Sequence, residues 1–339
     1  LALALHRLQD AAPLARGQNR PMPRLRRVTV SQPGISRRRS GSGFSYVDPS
    51  GQRVEDPEVL ERCRDLVVPP AWEQVWICPY PNGHVQAYGI DAAGRGQYIY
   101  HPQWRERRDR AKHDHALEVG SRLPGARGRV TRDLQLPGMP RDKALAVVFR
   151  LLDVGLFRLG GESYAAKNDS HGVSTLLRSH VTARRDGTVR FQFPAKSGKD
   201  QDITIDDPDV HAAVRTFLRR RDPSDRLVAW RKPGSPATWH TVSSADVSGY
   251  VKERLGSDAS AKVFRTWHAT VLAAQLLEAA GPAPSSDRKR KTVVTGVVRT
   301  VAGELGNTPT VARASYIDPR LFDLWERGST IPPCSTRSA

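Results

Sequence analysis

The sequence predicts an α+β protein. A small β-rich N-terminal domain precedes a mainly α-helical C-terminal domain that carries a three-stranded antiparallel β insert. Three observations predict this. Between Gly43 and Trp104, short runs rich in β-branched and aromatic residues alternate with Gly, Pro and Asn turn signals. Further on, Lys143–Phe157 and Thr270–Ala280 place apolar residues at helical spacing. Between these helices, two alternating runs flank Asp186-Gly187, a strong two-residue hairpin signal. A chain of 339 residues is long enough for two such domains.

The first 40 residues hold nine arginines, no lysine and a single acid, Asp10. They sustain neither a helical nor a strand period, and no structure is expected there. Such a leader is compatible with a transit peptide. A disordered basic arm, or sequence upstream of the true start, fits it better, and the missing initiator Met suits the last of these. The arm is assigned to residues 1–30 and the β-rich domain to 31–110. Within that domain, Phe44–Val54 reads as a hairpin around Asp48–Gly51, and Val75–Cys78, His84–Tyr88 and Gln97–Tyr100 read as strands. Trp104–His115, with Arg105, Arg107, Arg108, Arg110 and Lys112, reads as a basic connection between the domains. The second domain is assigned to 111–328 and a tail to 329–339. In it, Val181–Phe193 is a hairpin, and the turn at Lys196–Asp200 leads to a third strand at Ile203–Ile205. Lys196 and Lys199 therefore share one tip of the insert.

Lys plus Arg number 53 against 35 for Asp plus Glu, a formal net charge of +18. This excess argues against an ordinary metabolic enzyme and for a polyanionic partner, nucleic acid before anionic membrane. No apolar run approaches the roughly 18 residues of a membrane helix. Of the basic residues 43 are Arg. GC-rich codons explain much of that preference, but exchanging Arg for Lys would leave the charge unchanged. Cys63, Cys78 and Cys334 lie far apart, which fits a reducing cytosol and argues against a structural zinc site or a disulfide framework. His113 and His115 flank Asp114 within a charged run and are expected in solvent, so no metal site is predicted.

Four local features could carry chemistry. Arg158 follows an apolar helix and is followed by Gly160 and Gly161, where a backbone or ligand can approach closely. Lys196 occupies the exposed turn. Arg265 interrupts apolar residues in Lys262–Trp267, where a charge is costly unless paired. Tyr316 falls in the last turn of a helix that Thr308 caps, that Pro309 opens and that Asp318-Pro319 ends. Singly, each has a structural explanation: an Arg bonded to helix-end carbonyls, a solvated Lys, a half-buried Tyr.

Taken in order, Arg158, Lys196, Arg265 and Tyr316, with Asn307 shortly before the Tyr, resemble the catalytic set of type IB DNA topoisomerases, in particular the small poxvirus-like enzymes of bacteria. Gly94–Trp104 looks like the family's DNA-contacting stretch. Lys262–Trp267 and Leu305–Pro309, followed by Ser315-Tyr316, are similar to its two C-terminal signatures. The similarity covers about residues 30–328. It implies the fold shared by these topoisomerases and the tyrosine recombinases, duplex DNA as partner, and no cofactor or metal. It further implies a soluble monomer that closes around DNA in the cytoplasm, at the bacterial nucleoid.

The resemblance also assigns roles. Tyr316 is the nucleophile that forms a 3′-phosphotyrosine bond. Arg158 and Arg265 clamp the nonbridging oxygens, and Asn307 adds a neutral donor. Lys196 protonates the leaving 5′-oxygen, with Lys199 a rival because Ala195 stands where Gly is common. Many relatives have His at position 307, so a pH dependence arising from that His should be absent here. Gln97, Tyr98, Tyr100, Tyr164 and Lys199 fall at DNA-contacting positions. Alternate tyrosines on a strand share a face, so Tyr98 and Tyr100 can reach a duplex together, or both can pack inside the β domain. A straight helix would hold Asn307 and Tyr316 about 13 Å apart, so a bend or break is expected between them. Two rival readings remain open: a tyrosine recombinase, whose usual His three residues before the second Arg is Lys262 here, and a non-catalytic basic protein coating DNA.

Overall fold

The computed structural model describes residues 24–232 and 238–329. The chain divides into two compact units between Lys112 and His113. The first contains one antiparallel sheet of five strands: β1 (Ile35–Ser40), β2 (Gly43–Val47), β3 (Glu73–Ile77), β4 (Val85–Ile90) and β5 (Gly96–Tyr100), in the order β2-β1-β3-β4-β5. Helix α1 (Pro57–Asp65) lies between β2 and β3 in the chain. The sheet's buried side is built from Ile35, Tyr46, Val75, Ile77 and Ala87, with Cys63 of α1 packed among them.

Three features of this unit depart from expectation. Strand β1 lies within the Arg-rich stretch in which no structure was expected. Its alternation is concealed because Arg37 uses its stem and charge for packing: the guanidinium lies 4.0 Å from the Phe44 ring and donates to the carbonyls of Val68, Pro69 and Trp72. The Asp48–Gly51 turn forms, with Asp48 accepting from Ser50 and Gln52. The chain beyond it pairs back on β2 only briefly, through Asp48 N–H to the Gln52 carbonyl, Val54 N–H to the Tyr46 carbonyl and the bridge Val47↔Arg53. The expected hairpin is therefore short, and the principal partner of β2 is β1. Helix α1 is capped by the Asp56 carboxylate and opened by Pro57, signals present in the sequence but overlooked there.

The predicted basic connection is instead the first part of a long helix, α2 (Pro102–Leu134). Arg, Lys, Glu and Ala are strong helix formers, and Lys112 pairs with Asp109 one turn away at 2.9 Å. The expected apolar stripe begins only at His113, which is buried rather than solvated.

The second unit is mainly helical. Helix α3 (Arg141–Val154) is buried almost throughout its middle, from Ala144 to Phe149 and again at Leu151–Asp153. Helix α4 is Glu162–Asn168. The insert follows as β6 (Val181–Ala183), β7 (Thr188–Ala195) and β8 (Lys199–Asp206), ordered β6-β7-β8 with all pairings antiparallel. The first hairpin has a three-residue loop rather than two: Arg184 and Thr188 still pair, leaving Arg185, Asp186 and Gly187 to turn the chain. The second places Ala195 opposite Lys199, with Lys196 exposed at the tip.

Helix α5 (Pro208–Arg219), a two-stranded ribbon β9 (Ala229–Trp230) and β10 (His240–Thr241), and helices α6 (Ser244–Leu255) and α7 (Ala261–Ala279) complete the body around α3. Phe149 of α3 meets Phe264 of α7 edge to face at 5.0 Å. Burying such side chains stabilises by about 1.5–3 kcal/mol each. Helices α8 (Asp287–Glu304), α9 (Pro309–Ser315) and α10 (Arg320–Glu326) are the last elements among the described residues. Among the described residues, no helix is long and apolar enough to cross a membrane.

Candidate active site

The site is assembled where α3, α7 and the α8–α9 connection meet. Arg158 lies four residues beyond α3, and its main-chain carbonyl accepts from Val173 at 2.8 Å. Glycine is required at this crossing. A Cβ on Gly172 would fall 2.4 Å from the Gly160 nitrogen and 2.6 Å from the Arg158 carbonyl oxygen. The Arg158 side chain donates to the Asn307 Oδ1 and, at 3.4 Å, to the Gly306 carbonyl.

Arg265 projects from the middle of α7 and is 4% exposed. Its guanidinium donates to two main-chain carbonyls, those of Leu156 just past α3 and Leu305 at the end of α8, the latter at 2.6 Å. One buried cation thus ties three segments together. Asn307 comes from the turn Leu305–Asn307, where Gly306 takes φ +59° and lies against the Gln201 side chain of β8. Thr308 then caps α9 by accepting from Val311 at 3.3 Å, with Pro309 opening the helix as the sequence predicts.

Tyr316 is the residue that terminates α9, at φ −130°, just beyond its last turn rather than within it. The helix is only seven residues long and starts after Asn307. The two side chains leave from opposite ends of this short element, and the bend or break expected between them does not occur: α9 runs unbroken from Pro309 to Ser315, with Arg158 reaching Asn307 and Arg265 lying near Tyr316. Main-chain atoms fix the nucleophile candidate: Tyr316 N–H donates to the Ala312 carbonyl, and Thr270 of α7 donates to the Tyr316 carbonyl at 3.3 Å.

The electrostatics are one-sided. The Arg265 guanidinium lies 5.3 Å from the Tyr316 ring centre, and the Lys262 ammonium 5.9 Å from it. Burial raises the Tyr316 pKa, but the charge and hydrogen bond of Arg265, with Lys262 and Arg158, outweigh it and hold the phenol below its ordinary value. Burial, reinforced by Arg158, depresses Arg265 to about 10. Burial likewise lowers Arg158.

Neither guanidinium has a carboxylate partner among the described residues. Moreover, Arg265 Nε and Asn307 Nδ2 are buried donors with no acceptor. Two cations without carboxylate partners and two unused donors beside a phenol of lowered pKa give the site the chemistry to receive an anion. By contrast, the nearby Asp153 of α3 is fully paired, accepting from Arg127 at 2.7 and 2.9 Å and lying 2.8 Å from His268 Nε2.

The structure therefore brings Arg158, Arg265, Asn307 and Tyr316 together. Lys196 has no hydrogen bond or ring contact to them among the described residues. Its hairpin nonetheless approaches the same turn through Gln201. The side chains of Lys199 and Tyr164 lie outside the described residues. Lys262 was read in the sequence only as a recombinase His replaced. Its place one turn before Arg265 on α7 is the signal that puts both cations on the face toward Tyr316.

In the N-terminal unit, Tyr98 and Tyr100 lie on the edge strand β5, 45% and 37% exposed, with rings stacked at 5.8 Å. Tyr88 adjoins Tyr98 at 4.9 Å. The tyrosines thus face outward rather than packing inside. Gln97 is on the opposite side of the strand, where it donates to Asp91 at 2.9 Å, and does not share their face. Elsewhere His115, Glu118 and Asp258 converge, but Arg122 pairs with both carboxylates, at 2.5 and 2.8 Å.

The chain is similar to known proteins along most of its length. Residues 101–320 match the family described as the catalytic core of eukaryotic DNA topoisomerase I. Residues 43–91 match that of the N-terminal domain of bacterial DNA topoisomerase IB. The chain is 26% identical over 298 residues to the DNA topoisomerase 1B of Acanthamoeba polyphaga mimivirus, covering 86% of this chain and 88% of the relative. It is also 26% identical over 206 residues to the DNA topoisomerase 1 of Mycosarcoma maydis, covering 54% of this chain and 20% of that one.

Proposed function

This chain belongs to the type IB DNA topoisomerases, and from that premise we propose how its residues relax supercoiled DNA. The observation that carries the reading is the pair of guanidinium groups without carboxylate partners beside Tyr316. Tyr316 Oη attacks a backbone phosphorus, losing its proton to water as the new O–P bond forms and the bond to the 5′-oxygen breaks. The five-coordinate transition state carries extra negative charge on its nonbridging oxygens. Arg158, Arg265 and the free amide N–H of Asn307 stabilise it more than the ground state, each donor contributing about 10²–10³ in rate. The leaving 5′-oxygen takes a proton from Lys196 at the exposed tip of its hairpin, with Lys199 as the alternative acid.

The strand is then held through a 3′-phosphotyrosine while the free end rotates. The 5′-hydroxyl attacks the same phosphorus in reverse. One phosphodiester is exchanged for another of similar energy, so neither ATP nor a further reactant is consumed, and the arginines supply the charge a metal would otherwise bring. The exposed tyrosines of β5 support a duplex contact in the N-terminal unit, and Tyr164 is assigned a further DNA contact by the family resemblance alone. A single copy closing its two units around one duplex, at the nucleoid in the cytoplasm, completes the proposal.

The test is relaxation of negatively and positively supercoiled plasmid in EDTA without ATP. Wild type is expected to relax both, and Tyr316→Phe neither while still binding DNA. Relaxation by the variant would show that another nucleophile acts. Binding without any change in linking number by wild type would favour the DNA-coating reading.

A further inference from the structure

One short loop joins two of the proposed catalytic residues. Residues 169–175, between α4 and the insert, donate main-chain hydrogen bonds from Val173 to the Arg158 carbonyl and from Ser174 to the Leu159 carbonyl, at 2.8 and 2.9 Å. At its other end, the His171 N–H donates to the Pro194 carbonyl at 2.9 Å, two residues before Lys196. Displacement of this loop would move Arg158 and the root of the Lys196 hairpin together.

The loop is closed by the His171 side chain, which is 8% exposed. Its Nδ1 lies 2.8 Å from the Thr175 carbonyl, and its Nε2 lies 2.9 Å from the Asp169 carboxylate. Both neighbours are acceptors, and the ring placed between them bridges the two ends of the loop. The neighbouring ring, His180, is 4.7 Å away and serves the opposite role: its Nδ1 accepts from the Leu177 N–H at 3.2 Å. Burial, and after it the neighbouring His171, lowers the His180 pKa.

We propose that His171 is a positioning residue for cleavage, a staple between Asp169 and Thr175 that sets Arg158 and the Lys196 hairpin in register. The proposal rests on the roles given above to Arg158 and Lys196. A shift of 1 Å in such groups costs on the order of 10²-fold in rate.

The experiment measures single-turnover cleavage, DNA affinity and melting temperature for wild type, His171→Leu, His171→Gln, Arg158→Ala and Lys196→Ala. Each is assayed on a duplex with an ordinary scissile phosphate and on one whose 5′-bridging oxygen is sulfur. A thiolate leaves without protonation, so the sulfur substrate removes the need for Lys196 alone. His171→Leu is expected to cleave the ordinary duplex about 10²-fold more slowly at near-normal affinity. Sulfur is expected to restore part of that loss, and His171→Gln, which keeps a donor, to fall between. The proposal is overturned if His171→Leu cleaves like wild type. It is overturned equally if affinity, melting temperature and rate fall together with no rescue by sulfur, since that marks a merely structural residue. Failure of sulfur to rescue Lys196→Ala would count against the acid assignment itself, independently of His171.

Discussion

The two units invert the usual distribution of side chains in different ways. The N-terminal unit leaves aromatic rings outside, with Tyr98 and Tyr100 stacked on an edge strand. The catalytic unit draws charge inside, with Arg265 4% exposed in the middle of a helix and Asp153 1% exposed in another. Exposed rings cost little in the free protein and gain area on contact. A buried cation costs much unless something answers it. The first arrangement suits binding, and the second suits a reaction in which negative charge develops.

That contrast can be broken at several points. Arg265→Ala should give the largest effect, a loss of about 10²–10³ in single-turnover cleavage with duplex affinity almost kept. An equal loss in affinity would make Arg265 an ordinary binding residue. Next is Asp153, whose burial raises its pKa but whose bonds to Arg127 and His268 prevail and hold it at about 2, against an ordinary 3.8. A depressed carboxyl stabilises the fold fully above its unfolded pKa. Denaturant melts should therefore show about 2 kcal/mol lost as pH falls from about 4 through 2, a loss that Asp153→Asn should not show.

Replacing both Tyr98 and Tyr100 by Ala should weaken duplex binding about tenfold, or ~1.4 kcal/mol, and leave cleavage at saturating protein unchanged. A slower cleavage step at saturation would mean the two units do not divide binding from chemistry. The smallest effect is expected from Lys262→Gln. Removing one of the cations that depress the Tyr316 phenol should move its titration upward by less than about one pH unit. Difference titration against Tyr316→Phe would read this, and no movement would leave Arg265 as the main cause.

Much of the site was legible in the sequence because each residue sits at a punctuated place. Arg158 precedes glycines, Lys196 occupies a turn, and Thr308-Pro309 marks a helix start. Lys262 was less visible, because nothing in the sequence places the tyrosine against the face it shares with Arg265. His171 carried no local signal at all, since its bonds depend on a loop conformation. In the fold, the signals failed where side chains served two purposes. β1 reads as a charged tract because Arg37 packs like an apolar residue against Phe44. The start of α2 reads as a linker because no apolar stripe appears before His113.

The anchorage of Arg265 has an evolutionary consequence. It is held by the carbonyls of Leu156 and Leu305, atoms that every amino acid supplies. Drift at these two positions can therefore change the side chains without dislodging the cation, so long as the backbone keeps its course. A site fastened in this way lets its surroundings diverge while its geometry is inherited.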